Sequence, residues 1–215
     1  MFFDFGALPA DIRYKVLTST VTPRPIAWVT TRREDGVVNA APYSFFNVMG
    51  QDPPTLVLGL LRDPKRGFKD TAANILDSGE FVVNLVPERL AEAMNLTCMD
   101  APPDVSELDV AGLEAAASVH VSAPRIAASP VAFECRSLTV LVTGPKQAIV
   151  VGRVLAAHVA DEVVLDAARA YIDTPALNLI ARMHGSGWYA RSTDRFQLDR
   201  PTYAAWLAAR GEIAG

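Results

Sequence analysis

The polar residues that could do chemistry in this 215-residue chain gather in two stretches. The first runs from Ile26 to Asn47. It carries the hydroxyls of Thr30, Thr31 and Ser44 and the amides of Asn39 and Asn47. The second contains Arg62, Lys65, Arg66 and Lys69, followed at once by Asp70-Thr71. Positive side chains, a threonine hydroxyl and the free amides at the start of a helix together suit a phosphate group. Hydroxyls and amides at two neighbouring strand ends suit the polar edge of a flat heteroaromatic ring. Ala40, Ala41 and Pro42 lie between them and are small enough for a ring to rest against the backbone. Each signal has an ordinary structural explanation: threonine favours strands, Trp28 favours a core, and basic loops are often only solvated.

Other chemistries lack their signatures. His120, His158 and His184 have no metal-ligand spacing with another histidine or cysteine. There is no G-x-S-x-G elbow, no G-x-G-x-x-G and no G-x-x-x-x-G-K-[ST]. Difficult chemistry on this chain would therefore belong to a bound cofactor. A net charge of −4 gives no overall field for nucleic acid or an anionic membrane. Cys98 and Cys135 are far apart and read as reduced, buried thiols of a cytoplasmic protein. The N-terminal Met-Phe-Phe-Asp-Phe-Gly does not read as a signal peptide, and no apolar run is long enough for a membrane helix.

The elements that must position these residues are mostly strands. Residues 25–31 read as a buried strand, 34–36 as a hairpin turn and 37–41 as the return strand, with 43–48 continuing past a break at Pro42. Further strands are expected over 55–61, 80–86, 131–142 and 147–159, the last two joined by Gly144-Pro145. Helices are expected over 69–76, ended by Asp77-Ser78-Gly79, over 87–94, over 175–180 and from Tyr203 to Arg210. Roughly six to nine strands joined by hairpins, without regular strand-helix alternation, favour an antiparallel barrel over a parallel sheet. Residues 1–215 read as a single domain with a C-terminal helical extension. A planar phosphorylated ligand between a strand floor and a basic loop fits flavin mononucleotide (FMN), although these residues alone do not choose it over other phosphorylated ligands.

Several strings decide further. Pro23-Arg-Pro-Ile-Ala-Trp-Val-Thr-Thr31, Gly36, Asn39 and Ala41-Pro-Tyr-Ser-Phe-Phe-Asn47 occur in order. Lys69-Asp-Thr-Ala-Ala-Asn-Ile75, Glu80-Phe-Val-Val-Asn-Leu-Val86, Ala93-Met-Asn-Leu-Thr97 and Arg182-x-x-Gly185 with Tyr189 follow. The ordered set resembles the flavin reductase-like family of FMN-binding split barrels, in its flavoredoxin-type branch, over about residues 9–200.

The resemblance implies a mainly β, Greek-key split β-barrel with inserted helices. It also implies a homodimer with FMN near the subunit interface, and reduction of flavin by NADH or NADPH. Trp28, Thr30, Thr31, Ser44, Phe45 and Asn47 then match the parts lining the ring and ribityl chain. Lys69 and Thr71 match the phosphate end, and Arg182, His184 and Tyr189 a late segment approaching the cofactor. No protein acid or base is implied, because hydride passes directly between stacked rings. The acceptor, including any partner oxygenase, and the choice between FMN and FAD stay open. A non-catalytic FMN-binding electron carrier or sensor on the same fold is the alternative reading.

Overall fold

The computed structural model describes residues 1–63 and 67–210. Lys65 and Arg66 of the basic stretch lie outside the described residues. Helix α1 (Ala10–Thr20) comes first, then β1 (Arg24–Pro25), β2 (Ala27–Arg32), β3 (Val38–Tyr43), β4 (Phe46–Gln51), β5 (Pro54–Asp63) and β6 (Gly67–Phe68). Next are α2 (Asp70–Ser78), β7 (Glu80–Leu85), a 3-10 turn at Glu88–Leu90, α3 (Ala91–Leu96), α4 (Glu107–Val110), β8 (Ala115–Ala116) and β9 (Arg125–Ile126). The long strands β10 (Val131–Gly144) and β11 (Gln147–Val159) follow, then β12 (Val164–Asp166), β13 (Tyr171–Ile172), β14 (Ile180–Arg182), β15 (Tyr189–Arg191) and α5 (Tyr203–Ala209).

The main sheet runs β3-β2-β7-β10-β11-β5-β4, every pair antiparallel, with β6 added on β5. Its two ends, β3 and β4, are consecutive in the chain and separated by Ser44-Phe45 alone. Two residues cannot span an open sheet of seven strands spaced about 4.8 Å apart. The sheet must therefore curl until its edges approach, giving a split barrel open between β3 and β4. The barrel interior is filled by Ala27, Val29, Leu56, Leu58, Phe81, Val83, Cys135 and Val150. Phe81 passes so close to Gly152 that a Cβ there would lie 2.5 Å from the ring, so Gly152 leaves the space for that ring. A second cluster around Trp28, Ala40, Met94, Leu108 and Ile126 packs the outer face of β2 and β3 beneath the inserted helices.

Alternation predicted most strands, and the mainly β barrel is what folds. Four readings need correction. Pro42 lies inside β3 and does not break it: β3 is a sheet edge, where a missing N–H leaves no ladder bond unmade. The chain bends one step later, at Ser44-Phe45. Residues 175–180 form no helix: a turn covers 174–177, Asn178 takes φ 45°, and Ile180–Arg182 pairs as strand β14. Helix α1 was not expected, because it ends in Thr-Ser-Thr and buries only Thr18. The 87–94 helix begins as a 3-10 turn and is α-helical only over Ala91–Leu96. Among the described residues, no helix is long and apolar enough to cross a membrane.

Candidate functional site

Edge strand β3 has β2 on one side and, on the other, a cleft closed by α2, α3 and α4. The cleft has two lobes sharing Pro42, Tyr43 and Cys98. Lobe one, about 200 Å³, is bounded by Asn39, Ala41, Lys69, Thr71, Asp100 and Glu107. Lobe two, about 470 Å³, is bounded by Ser44, Met94, Asn95, Arg182, Ser186 and Tyr189.

Lobe one is built from α2. Lys69 is the N-cap, and Asp70 and Thr71 open the helix; Gly79 ends it in the left-handed conformation with its N–H donating to Ile75 O at 2.9 Å. Asn39 Nδ2 donates to Thr71 Oγ1 at 2.7 Å, tying the helix start to β3. Lys69 Nζ, half exposed, is paired with Asp100 at 3.0 Å. Glu107 reaches in from α4 and accepts the Ala40 N–H at 2.9 Å, covering part of the free edge of β3. Burial pushes its carboxyl above the usual range; the hydrogen bond from Ala40 opposes this, and Asp70 adds to it. Burial likewise lifts the Tyr43 phenol to about 12, against its hydrogen bond with Thr71, so Tyr43 is a neutral phenol at physiological pH.

Lobe two is framed by β14 and β15. The Arg182 guanidinium lies 4.9 Å from the Tyr189 ring centroid and donates to the carbonyls of Trp188 and Gly185, both at 3.0 Å. Beneath it, buried Arg24 donates to Ser44 Oγ at 3.3 Å and to the carbonyls of Thr18, Val21 and Met183. That single side chain joins α1, the β3–β4 corner and the β14 end.

The predicted residues divide. Lys69, Thr71, Ser44, Arg182 and Tyr189 come together around the cleft. Trp28, Thr30 and Thr31 are fully buried behind it. Trp28 Nε1 donates to Thr97 Oγ1 at 2.9 Å, Thr30 Oγ1 to Pro124 O at 2.5 Å, and Thr31 Oγ1 accepts from Asn74 Nδ2 at 2.9 Å. Phe45 lies at the corner with its ring 6.2 Å from that of Tyr14. Asn47 is exposed and accepts the Val48 N–H through its own side chain, while bordering a different groove with Pro23, Val48 and Leu179. His184 is exposed and stacked 6.2 Å from Trp188, and neither lobe has it on its wall.

Several cleft residues had no role assigned from sequence, among them Asn95, Cys98, Asp100 and Glu107. Asn95 sat in the quoted string Ala93-Met-Asn-Leu-Thr97, which was the available signal for that wall. Cys98 is also a correction. It is exposed in the cleft rather than buried, whereas Cys135 is buried in the barrel. Burial pushes both thiols up, so neither is a ready thiolate. Among the described residues no group of His, Cys, Asp and Glu could hold a metal ion.

Residues 19–175 match the family profile described as the flavin reductase like domain. The chain belongs to the flavin reductase-like family. A Deinococcus radiodurans protein without an assigned function is 44% identical over 208 residues, covering 95% of this chain and 91% of that one. The crystal structure of 2-nitrobenzoate 2-nitroreductase NbaA from Pseudomonas fluorescens superimposes with TM-score 0.85 at 34% identity, covering 94% of this chain and 98% of that one. Nitrilotriacetate monooxygenase component B from Bacillus cereus gives TM-score 0.86 at 31% identity, covering 92% and 98%. Helix α1 and the β14–β15 hairpin extend largely beyond the matched flavin reductase-like stretch, yet Arg24 ties both to the cleft through Thr18, Met183 and Ser44.

Proposed function

We propose that this flavin reductase-like chain binds FMN in the β3 cleft and acts as an NAD(P)H-dependent flavin oxidoreductase. The observation that carries the reading is a long cleft in a chain of this family, with a floor of small residues at Ala41-Pro42 and phosphate-type donors at one end. The residues present fit the group. Lys69, the Thr71 hydroxyl and the first amides of α2 would hold the phosphate. The ring would rest against Pro42, Tyr43 and Ser44, with Arg182 and Tyr189 across the cleft from it, while His184 stays outside both lobes. Trp28, Thr30 and Thr31 support the floor from behind by fixing β2, to which β3 is paired. Phe45 and Asn47 carry the chain out of the cleft at the corner.

FMN, when bound, supplies a ring that accepts a hydride from NADH or NADPH and passes electrons to an acceptor. The chain's own work is to orient and to exclude water. Tyr43, a neutral phenol, keeps the floor uncharged. The two structural neighbours are named for a nitroaromatic acid and as one component of a monooxygenase, so a small-molecule acceptor and a partner oxygenase are both open to this chain. A homodimer is supported by apolar side chains exposed on the barrel: Val48 and Met49 on β4, Leu61 on β5, and Leu138, Leu141 and Val142 on β10. Two free thiols suit a reducing, cytoplasmic setting.

The test is the visible spectrum of purified protein mixed with equimolar FMN and desalted, before and after anaerobic NADH or NADPH. Retained flavin bands that bleach support the oxidoreductase. Retained bands that persist make the chain an electron carrier or sensor. Absence of retained flavin, together with no NAD(P)H:FMN turnover, refutes the reading.

A further inference from the structure

Besides the cleft, a groove of about 450 Å³ runs between the barrel and the small β1-β14-β15 sheet. Phe46, Leu85 and Phe133 wall it on the barrel side, and Pro25, Ala181 and Ala190 on the other. Arg191 is its one charged wall residue among those described, and it is committed to Glu88 at 2.6 Å. The groove therefore offers apolar surface rather than charge. Strand β4, which brings Phe46 and Val48 to it, is an end strand of the main sheet.

The chain leaves this groove at Ser192 and enters a stretch that joins no sheet among the described residues. Its pattern is that of a strand with one apolar face: Phe196 and Leu198 alternate with Arg195, Gln197 and Asp199. That face is uncovered, with Phe196 87% exposed and Leu198 82%. Thr202 then caps α5, its Oγ1 accepting the Ala205 N–H at 3.1 Å. Tyr203, Trp206 and Leu207 make an apolar stripe on α5, and the helix buries none of its residues. Seven residues are too few for a helix to be stable alone in water.

An arm with two apolar faces and an apolar groove at its root are complementary surfaces left open on one chain. Phe196 and Leu198 do not fold back into their own groove, since both stay exposed. Val48 carries the groove's apolar surface on to exposed Met49, part of the face already given to the dimer contact. Across a two-fold axis on that face, each arm meets the groove of the other copy. We propose that residues 195–207 form an exchange arm, with Phe196 and Leu198 of one copy seated in the groove of a second copy and α5 packed beside it. The proposal rests on the homodimer reading above and adds what fastens the two copies.

Light scattering on the full chain across a dilution series tests it. Wild type is expected to be a dimer. Phe196→Asp, at an exposed position where a charge leaves the fold intact, should raise the dimer dissociation constant about tenfold or more. A wild-type monomer overturns the proposal together with the homodimer reading. A dimer unmoved by Phe196→Asp overturns the arm alone. Cross-linking decides which copy holds the arm. Leu198→Cys and Val48→Cys would be combined on a Cys98→Ser background, which removes the exposed native thiol, and bridged with a short bismaleimide. A product at twice the chain mass supports exchange. A link within one chain, or no link, overturns it. FMN retention, read by absorbance on wild type, reports on the flavin reading separately.

Discussion

Glu134, within strand β10, and Glu107, at the start of α4, are both buried carboxylates, and the structure treats them oppositely. Glu134, on β10, is fully buried and accepts three hydrogen bonds: from the N–H of Val119 at 2.8 Å, from the N–H of His120 at 2.6 Å, and at 2.5 Å from His158 Nε2. Burial opposes its ionised form, but these bonds outweigh it and bring the carboxyl down to about 2. Glu107 takes one external donor, the Ala40 N–H, and burial keeps its carboxyl raised. What separates them is donor supply. At Glu134 the barrel wall spends its polar groups on itself and clamps the 118–122 loop. At the cleft, polar groups stay undercommitted: Lys69 holds an exposed aspartate, and Glu107 sits half satisfied.

The largest effect should come from breaking the committed region. Glu134→Ala leaves the Val119 and His120 N–H groups and His158 without their acceptor and should cost about 3 kcal/mol of stability by urea unfolding. Acid should undo the same anchor without a mutation. Glu134 is lowered in the folded state, so its contribution is fully present above pH 4.5 and is lost as the pH falls from there toward about 2. A stability profile flat across that window in wild type would remove the anchor role.

At the cleft, the next effect falls on ligand binding. Lys69→Ala should weaken FMN about tenfold while leaving the urea midpoint in place, because its partner Asp100 is 85% exposed at the side chain. Asp100→Asn should do the reverse, tightening FMN about twofold to threefold, since it frees Lys69 from a surface pair worth well under 1 kcal/mol. The smallest effect belongs to Glu107→Gln. The amide oxygen can still accept from Ala40, and the folded pKa is raised, so ionised Glu107 costs stability once the pH exceeds its unfolded value. Glu107→Gln should therefore be neutral or slightly stabilising at pH 8, within about 0.5 kcal/mol. A loss like that of Glu134→Ala would erase the contrast between the two carboxylates.

Much of this molecule was legible in one dimension. Alternation and apolar runs marked β2, β5, β7, β10 and β11, because a strand with a buried face must repeat every second residue. Asp77-Ser78-Gly79 marked the end of α2, because a left-handed C-cap favours glycine. The nearness of Ser44 to the cleft also followed, since the chain must turn between two strands that cannot overlap. The Pro175–Ile180 helix failed for a local reason, as Asn178 reverses the chain and frees Ile180 to pair in β14.

Which polar side chains face the cleft was decided only in three dimensions. Thr30 and Thr31 are adjacent, so they point to opposite faces of β2, and a half-exposed strand would have offered one of them to a ligand. Both faces are covered instead: Asn74 of α2 bonds Thr31, and the Pro124 carbonyl accepts from Thr30. Period-two alternation tells which residues share a face, not what lies against it. Helices α2, α3 and α4 are separated from β3 by many residues of chain, and only their packing makes its free edge a cleft. Arg24 and Arg182, 158 positions apart, are brought together by the β1–β14 pairing of those same two residues, a contact no local pattern announces.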